Sequence, residues 1–335
     1  MKCRCVLSCL ILLALTVHAV AEELPIIPPD AVVEVVSTGG YLFTEGPALA
    51  PDGSIYFSDI PNNAIHRYDP ATGETTLFTN DSGGANGLMF ISGSLWACSG
   101  DKREVRLYPA RWENNEAFEK QNIDDGLSFR HEPLAGAEIT HFDGKRLNRP
   151  NDIAFTSTEE DFFLIPTAVY FTDPIYGRVD PIELPSEAVY ALTPNLNQPD
   201  GTMQIHAITR LIDDLVRPNG IGVSPDDQTL YVNDNGDEKI WAYPILEPGK
   251  VGEGRLLNDL ADLGGPDGMT VGPKGNIYTT IYGKGVLILS PDGERLGFLD
   301  TGPQTTNCVF GADGKTLYVT AEKSLKRVVL NTGVE

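Results

Sequence analysis

Residues 219–234, NGIGVSPDDQTLYVND, carry the plan of the whole chain. A polar residue opens the stretch, a small and apolar run follows, and Pro225-Asp226 marks a tight turn. Leu230-Tyr231-Val232 then supplies the aromatic and β-branched residues of a strand, closed by small polar side chains. The reading is a β-hairpin. The same plan recurs as EGPALAPDGSIYFSD from Glu45, NGLMFISGSLWACSG from Asn86, NDIAF with AVYFTD from Asn151, DGMTVGPKGNIYTT from Asp267 and NCVFGADGKTLYVT from Asn307.

Between the opening polar residues the steps are 41, 65, 68, 48 and 40 residues. Four-stranded units of about 40–45 residues fit these steps, with insertions at roughly 108–146 and 156–167 expected to form loops over one face. Six units predict an all-β, six-bladed β-propeller with a central channel, because blades packed radially leave only short, protected sheet edges. The alternative, a β-sandwich, gives no reason for a polar residue to recur at the start of every hairpin. With 335 residues, 34 of them Gly and 24 Pro, the chain suits one turn-rich domain over residues 22–335.

The first residues, MKCRCVLSCLILLALTVHAVAEE, read as a secretory signal peptide over residues 1–21: basic Lys2 and Arg4, an apolar run, then Ala19-Val20-Ala21 before acidic Glu22. The run is shorter than the ~20 apolar residues a bilayer needs. An exported protein, periplasmic or extracellular, with no membrane span after cleavage, is the expectation. Cleavage would leave Cys98 and Cys308, too few for a disulfide scaffold or a thiolate metal site. A net charge of −22 repels nucleic acid and anionic membranes and attracts cations, which leaves a small molecule as the expected partner.

If the hairpins are equivalent, Glu45, Asn86, Asn151, Asn219, Asp267 and Asn307 converge on the channel. Taken singly, each could simply nucleate a turn. Yet Glu45-Gly46-Pro47 and Asn151-Asp152-Ile153 share no turn sequence. Carboxylates with carboxamides, and no His or Cys, suit a hard divalent cation, Ca²⁺ first. Mg²⁺, Mn²⁺ and Zn²⁺ are the alternatives, although zinc wants His or Cys at short spacing, and His66, His131, His141 and His206 show none. Asp81-Ser82-Gly83-Gly84 has no matching His motif for a serine nucleophile. A calcium loop beginning at Asn233 would need Glu at its twelfth position and finds Pro244. Both read as turns.

Seven motifs in order, EGP at 45–47, ANGLMF at 85–90, RLNRPNDIAF at 146–155, YFTDPIYG at 170–177, RPNGIGVSPDDQTLYV at 217–232, PDGM at 266–269 and TNCVFGADGKTLYVTA at 306–321, resemble the gluconolactonase and senescence-marker-protein (regucalcin) family over residues 40–325. The resemblance implies a six-bladed propeller lactonase with a divalent cation held by Glu45, Asn219 and Asp267, and by Asn151 directly, through water or as a substrate contact. It also implies that Asp173 sits near the channel or a second cation, against the plainer role of capping a strand end. Arg149 matches a position where relatives carry an Arg, and would bind a substrate hydroxyl or carboxylate unless it is simply exposed. Asn86 would line the pocket. One departure is Cys98-Ser99-Gly100, where many bacterial relatives place a His-Gly pair after the Cys.

A cation so held would polarise an ester or lactone carbonyl and acidify water, with Asp267 as general base. A sugar lactone such as gluconolactone is the expected substrate. The competing readings are a non-catalytic ligand-binding propeller, since a fold does not prove a function, and the same site acting on another lactone or a phosphotriester.

Overall fold

A strand buried on both faces serves two cores at once, because successive side chains point opposite ways. Leu230 and Val232 pack with Ala168, Tyr170 and Val189, whereas Tyr231 between them packs with Met269, Ile277 and Leu287. Repeated around the chain, this alternation stacks sheets face to face in a ring. The computed structural model describes residues 24–91, 94–109, 138–160, 163–195 and 204–334. The expected signal peptide lies outside them.

Six antiparallel sheets form the blades of a β-propeller. Blade 1 runs through Thr44–Leu49, Ile55–Asp59, Ala64–Asp69 and Glu74–Thr79. Blades 2 to 5 open with inner strands Ala85–Ile91, Ile153–Glu160, Pro218–Val223 and Pro266–Val271. Blade 6 takes Thr305–Phe310, Thr316–Ala321 and Ser324–Val329 from the end of the chain and its outer strand, Glu34–Ser37, from the beginning. This pairing closes the ring, and an Arg327–Glu34 ion pair at 2.8 Å lies across it.

Among the described residues six apolar clusters form, one at each interface between neighbouring blades. Each fully buried large apolar side chain contributes about 1.5–3 kcal/mol relative to exposure. Trp96, Tyr170, Tyr190 and Tyr278 are the bulkiest wedges. Cys98 and Cys308 are buried, unpaired members of these clusters, as their small number in the sequence suggests.

The insertions differ from the expected loops. Residues 156–167 lengthen the first hairpin of blade 3, with Ile153–Glu160 paired to Phe163–Asp173 out to Glu160 opposite Phe163. Thr156, Thr158 and Ile165 there are β-branched and suit an extended ladder. Of the 108–146 segment, Glu138–Ile139 is the outer strand of blade 2, and His141–Phe142 pairs with Lys145–Arg146. The intervening residues 110–137 lie outside the described set.

Candidate metal and catalytic centre

Glu45, Asn86, Asn219 and Asp267 are each aimed by a break in their own sheet. In five blades the inner strand slips out of register at the channel, between Glu45 and Ala48, Ala85 and Leu88, Pro218 and Ile221, Pro266 and Met269, and Thr305 and Asn307. Backbone groups released by the slip bond to the neighbouring blade. Ser58 Oγ donates to the Asn86 carbonyl at 2.9 Å, Gly87 N–H to Asn151 at 2.7 Å, and Thr172 Oγ1 to Asn219 at 2.8 Å. Asn233 Nδ2 donates to Asp267 at 2.7 Å, Thr280 Oγ1 to Thr306 at 2.6 Å, and Thr306 Oγ1 to Thr44 at 2.9 Å.

These six links make a girdle that joins every blade to the next. Their donors include the small polar residues that end the second strand of the repeat. Each such bond is worth about 1 kcal/mol. The residue after the opening side chain is Gly46, Gly87, Gly220 or Gly268 in four blades, and a Cβ there would strike Asn86, Asp152, Asp267 or Asn307 respectively. Close approach of backbones requires glycine here.

Above the girdle lies a cavity of about 660 Å³ lined by Glu45, Asn86, Asn151, Asn219 and Asp267, together with Arg149. Five of the six recurring residues therefore meet. Asn307 does not: its Nδ2 donates to both carboxylate oxygens of Asp152 at 3.0 Å, and its Oδ1 accepts the Cys308 N–H at 2.8 Å. Asp152 stands where four blades carry glycine, and its side chain reaches from blade 3 to blade 6, outside the cavity's lining residues.

Asn219 Nδ2 donates to Asp267 Oδ1 and to the Tyr176 hydroxyl, both at 2.7 Å, which fixes the carboxamide and leaves Asp267 Oδ2 available. Asn86 Oδ1 and Asn151 Oδ1 are buried without a hydrogen-bond partner among the described residues. Orphaned buried acceptors are costly, by ~1–3 kcal/mol each, unless a ligand or ion completes them. Glu45 is buried; it accepts the adjacent Gly46 N–H on Oε2 at 2.7 Å, and Asn307 also hydrogen-bonds to its carboxylate.

Burial raises all three carboxyls. Asp267 is pushed up to about 8 by burial and then by the charge of Asp152. Asp152 is pushed up to about 7 by burial, against the opposing hydrogen bond of Asn307. Glu45 goes well above its ordinary range through burial, Asp267 and Asp152. Positive charge at this place would reverse these shifts. No group of three or more His, Cys, Asp or Glu arranged to hold a metal occurs among the described residues. The fit rests instead on a mixed set, carboxylate and carboxamide oxygens, which suits Ca²⁺ and disfavours zinc. His66 packs against the rings of Tyr41 and Phe57, remote in character from a ligand.

Arg149 lines the cavity with its guanidinium pinned, donating to the Tyr176 carbonyl at 3.0 Å and to Asp101 at 2.7 Å. Asp173 is not among the lining residues. It is buried, accepts the Asn148 N–H on Oδ2 at 2.8 Å, and leaves Oδ1 unpartnered beside the similarly unpartnered Asn148 Oδ1. Phe43, Tyr176, Arg217 and Tyr282 also line the cavity and carry no repeating signature in the sequence.

The profile of the SMP-30/Gluconolactonase/LRE-like region matches residues 43–323. A gluconolactonase from Zymomonas mobilis is 29% identical over 340 residues, covering 90% of this chain and 84% of that protein. A solved gluconolactonase from Xanthomonas campestris aligns with a TM-score of 0.72 at 25% identity, over 92% of this chain and 96% of that one. The calcium-binding protein regucalcin from Agrobacterium tumefaciens, at 19% identity, shares the fold with a TM-score of 0.63 over 89% of this chain and 93% of that one.

Proposed function

The chain belongs to the SMP-30/Gluconolactonase/LRE-like family, and from that membership we propose that it hydrolyses sugar lactones with one divalent cation, Ca²⁺ first, in its channel. One observation carries the reading: two carboxylates, buried Glu45 and half-buried Asp267, share a cavity with carboxamide oxygens that nothing among the described residues satisfies. Glu45, Asn151, Asn219 and Asp267 would hold the ion. Bound there, it supplies Lewis acidity toward the lactone carbonyl.

The chain's own groups do the rest. Asp267 takes a proton from the attacking water on Oδ2, because Oδ1 is occupied by Asn219. Asn219 is in turn oriented by the Tyr176 hydroxyl, so the base cannot rotate away. Asn86 accepts a hydrogen bond from a sugar hydroxyl through its carbonyl oxygen, which is unpartnered among the described residues. Arg149, pinned to Tyr176 and Asp101, offers its remaining N–H groups from the wall.

The test is proton release from glucono-δ-lactone by protein freed of cations and resupplied in turn with Ca²⁺, Mg²⁺, Mn²⁺ and Zn²⁺. Turnover restored by one of them supports the reading. No turnover with any ion, despite binding, leaves a non-catalytic propeller or another ester. The leader-like residues 1–21 support export, and the N-terminal sequence of the exported protein should begin at Glu22.

A further inference from the structure

We infer that the mouth of the cavity carries an anion subsite built on Arg217, so that the lactones taken here bear a negatively charged substituent; the word lactone rests on the proposed function, the subsite does not. Arg217 lies two residues before Asn219, where blade 4 enters the channel, and it lines the cavity. Its backbone is left-handed, with φ 59°. That region suits glycine and is uncommon for other residues. At the entry of blade 2 the equivalent position, two residues before Asn86, is held by Gly84, φ 68°; in blade 5 the left-handed residue is Gly264, φ 98°, one place further from Asp267.

Blade 4 places an arginine there and clamps it. Arg217 N–H donates to Glu187 Oε2 at 2.9 Å, its carbonyl accepts Asn235 N–H at 3.2 Å, and Val216 N–H donates to Asp234 Oδ1 at 3.0 Å. A strained conformation held this firmly argues for a side chain whose direction matters. The guanidinium stands 5.9 Å from the centroid of the Tyr176 ring, over its face. Arg149 is tied to the same tyrosine through its carbonyl.

Arg217 makes no ion pair among the described residues, in a chain with 47 acidic and 25 basic residues. Glu238 lines the same cavity and pairs with neither arginine among those residues. A neutral sugar needs only hydroxyl contacts. A free planar guanidinium at the rim matches a carboxylate, sulfonate or phosphate, which it can bind through two parallel hydrogen bonds.

The measurement is kcat/KM for the neutral D-glucono-δ-lactone and for D-glucaro-1,4-lactone, which carries a carboxylate, in the wild-type chain, Arg217→Gln and Arg217→Lys. Glutamine is a tolerable replacement because Gln304 adopts φ 58° in this same chain. The charged-to-neutral ratio is expected to fall at least ten-fold in Arg217→Gln, to be largely kept in Arg217→Lys, and to shrink with added salt. Calorimetric binding of methyl β-D-glucuronide against methyl β-D-glucoside gives a readout that needs no turnover. Preference for the glucuronide that disappears in Arg217→Gln supports the subsite. Equal binding of the two glycosides, or a ratio that Arg217→Gln leaves unchanged, overturns it. If neither lactone is hydrolysed the lactonase reading fails, and the glucuronide titration alone decides the subsite.

Discussion

On the floor of the channel Asn307 uses both ends of its carboxamide, and its Nδ2 serves both oxygens of Asp152. One level nearer the mouth, Asn86 and Asn151 leave their carbonyl oxygens bare although they are just as hidden from water. The same repeat supplies both levels, so the difference lies in what faces each residue. At the floor an extra carboxylate, Asp152, replaces the usual glycine and absorbs its neighbour. Above it no such partner exists among the described residues, and the unmet acceptors form a receptor. Stability and function are thus assigned to different residues of one repeat.

Substitutions that exchange the roles of the two levels give the largest effects. Asp267→Ala should lower kcat/KM on glucono-δ-lactone by about 10³-fold or more, in line with loss of a general base and an ion-holding group together. In chelator, its thermal midpoint should hold or rise, because one of three mutually repelling buried carboxyls is gone. A parallel fall in activity and stability would erase the distinction between the levels.

Asp173, behind the cavity, sharpens the contrast through pH. Burial pushes its carboxyl up to about 7, so the unfolded chain releases that proton first as pH rises from about 4. The folded state therefore loses stability from this group between about pH 4 and pH 7, by at most roughly 4 kcal/mol. Asp173→Asn should abolish this slope and leave the variant relatively more stable at pH 8, read as midpoint against pH. A loss of bound cation in the same variant would instead assign Asp173 to a second site.

Asn307→Ala strips Asp152 of its side-chain donor. The expected cost is ~2–3 kcal/mol in chemical denaturation. Thr172→Val cuts one link of the girdle and frees the Asn219 carbonyl, for about 1–2 kcal/mol and a smaller loss of activity than Asp267→Ala. If Thr172→Val matched Asp267→Ala in activity, the girdle would belong to the site and not to the scaffold.

The blades and the upper ring were readable in the sequence because both repeat. Glu45, Asn86, Asn151, Asn219 and Asp267 open equivalent hairpins, and register breaks aim all but Asn151. The small polar residues closing the second strands supply four of the six girdle donors, visible as a pattern before its purpose was. Asp152 escaped because it reads as the second letter of a strand; the clue was a carboxylate in a column of glycines. Tyr176 and Arg217 escaped for a different reason. They stand on turns and entry segments whose sequence varies from blade to blade, so no periodicity marks them, and only the fold brings Tyr176 to Asn219 and to Arg217. Residues 156–167 were misjudged as a loop since their excess length hid a hairpin that simply continues.

The most direct test of the account is a parallel titration of Ca²⁺ occupancy and lactone hydrolysis in the wild-type chain and in Glu45→Gln. The account predicts one ion per chain at the upper level, a rate that rises in proportion to occupancy, and loss of both in the variant with the fold intact by circular dichroism. Full hydrolytic rate in protein freed of cations, or a Glu45→Gln variant that binds and turns over like the wild type, would contradict it.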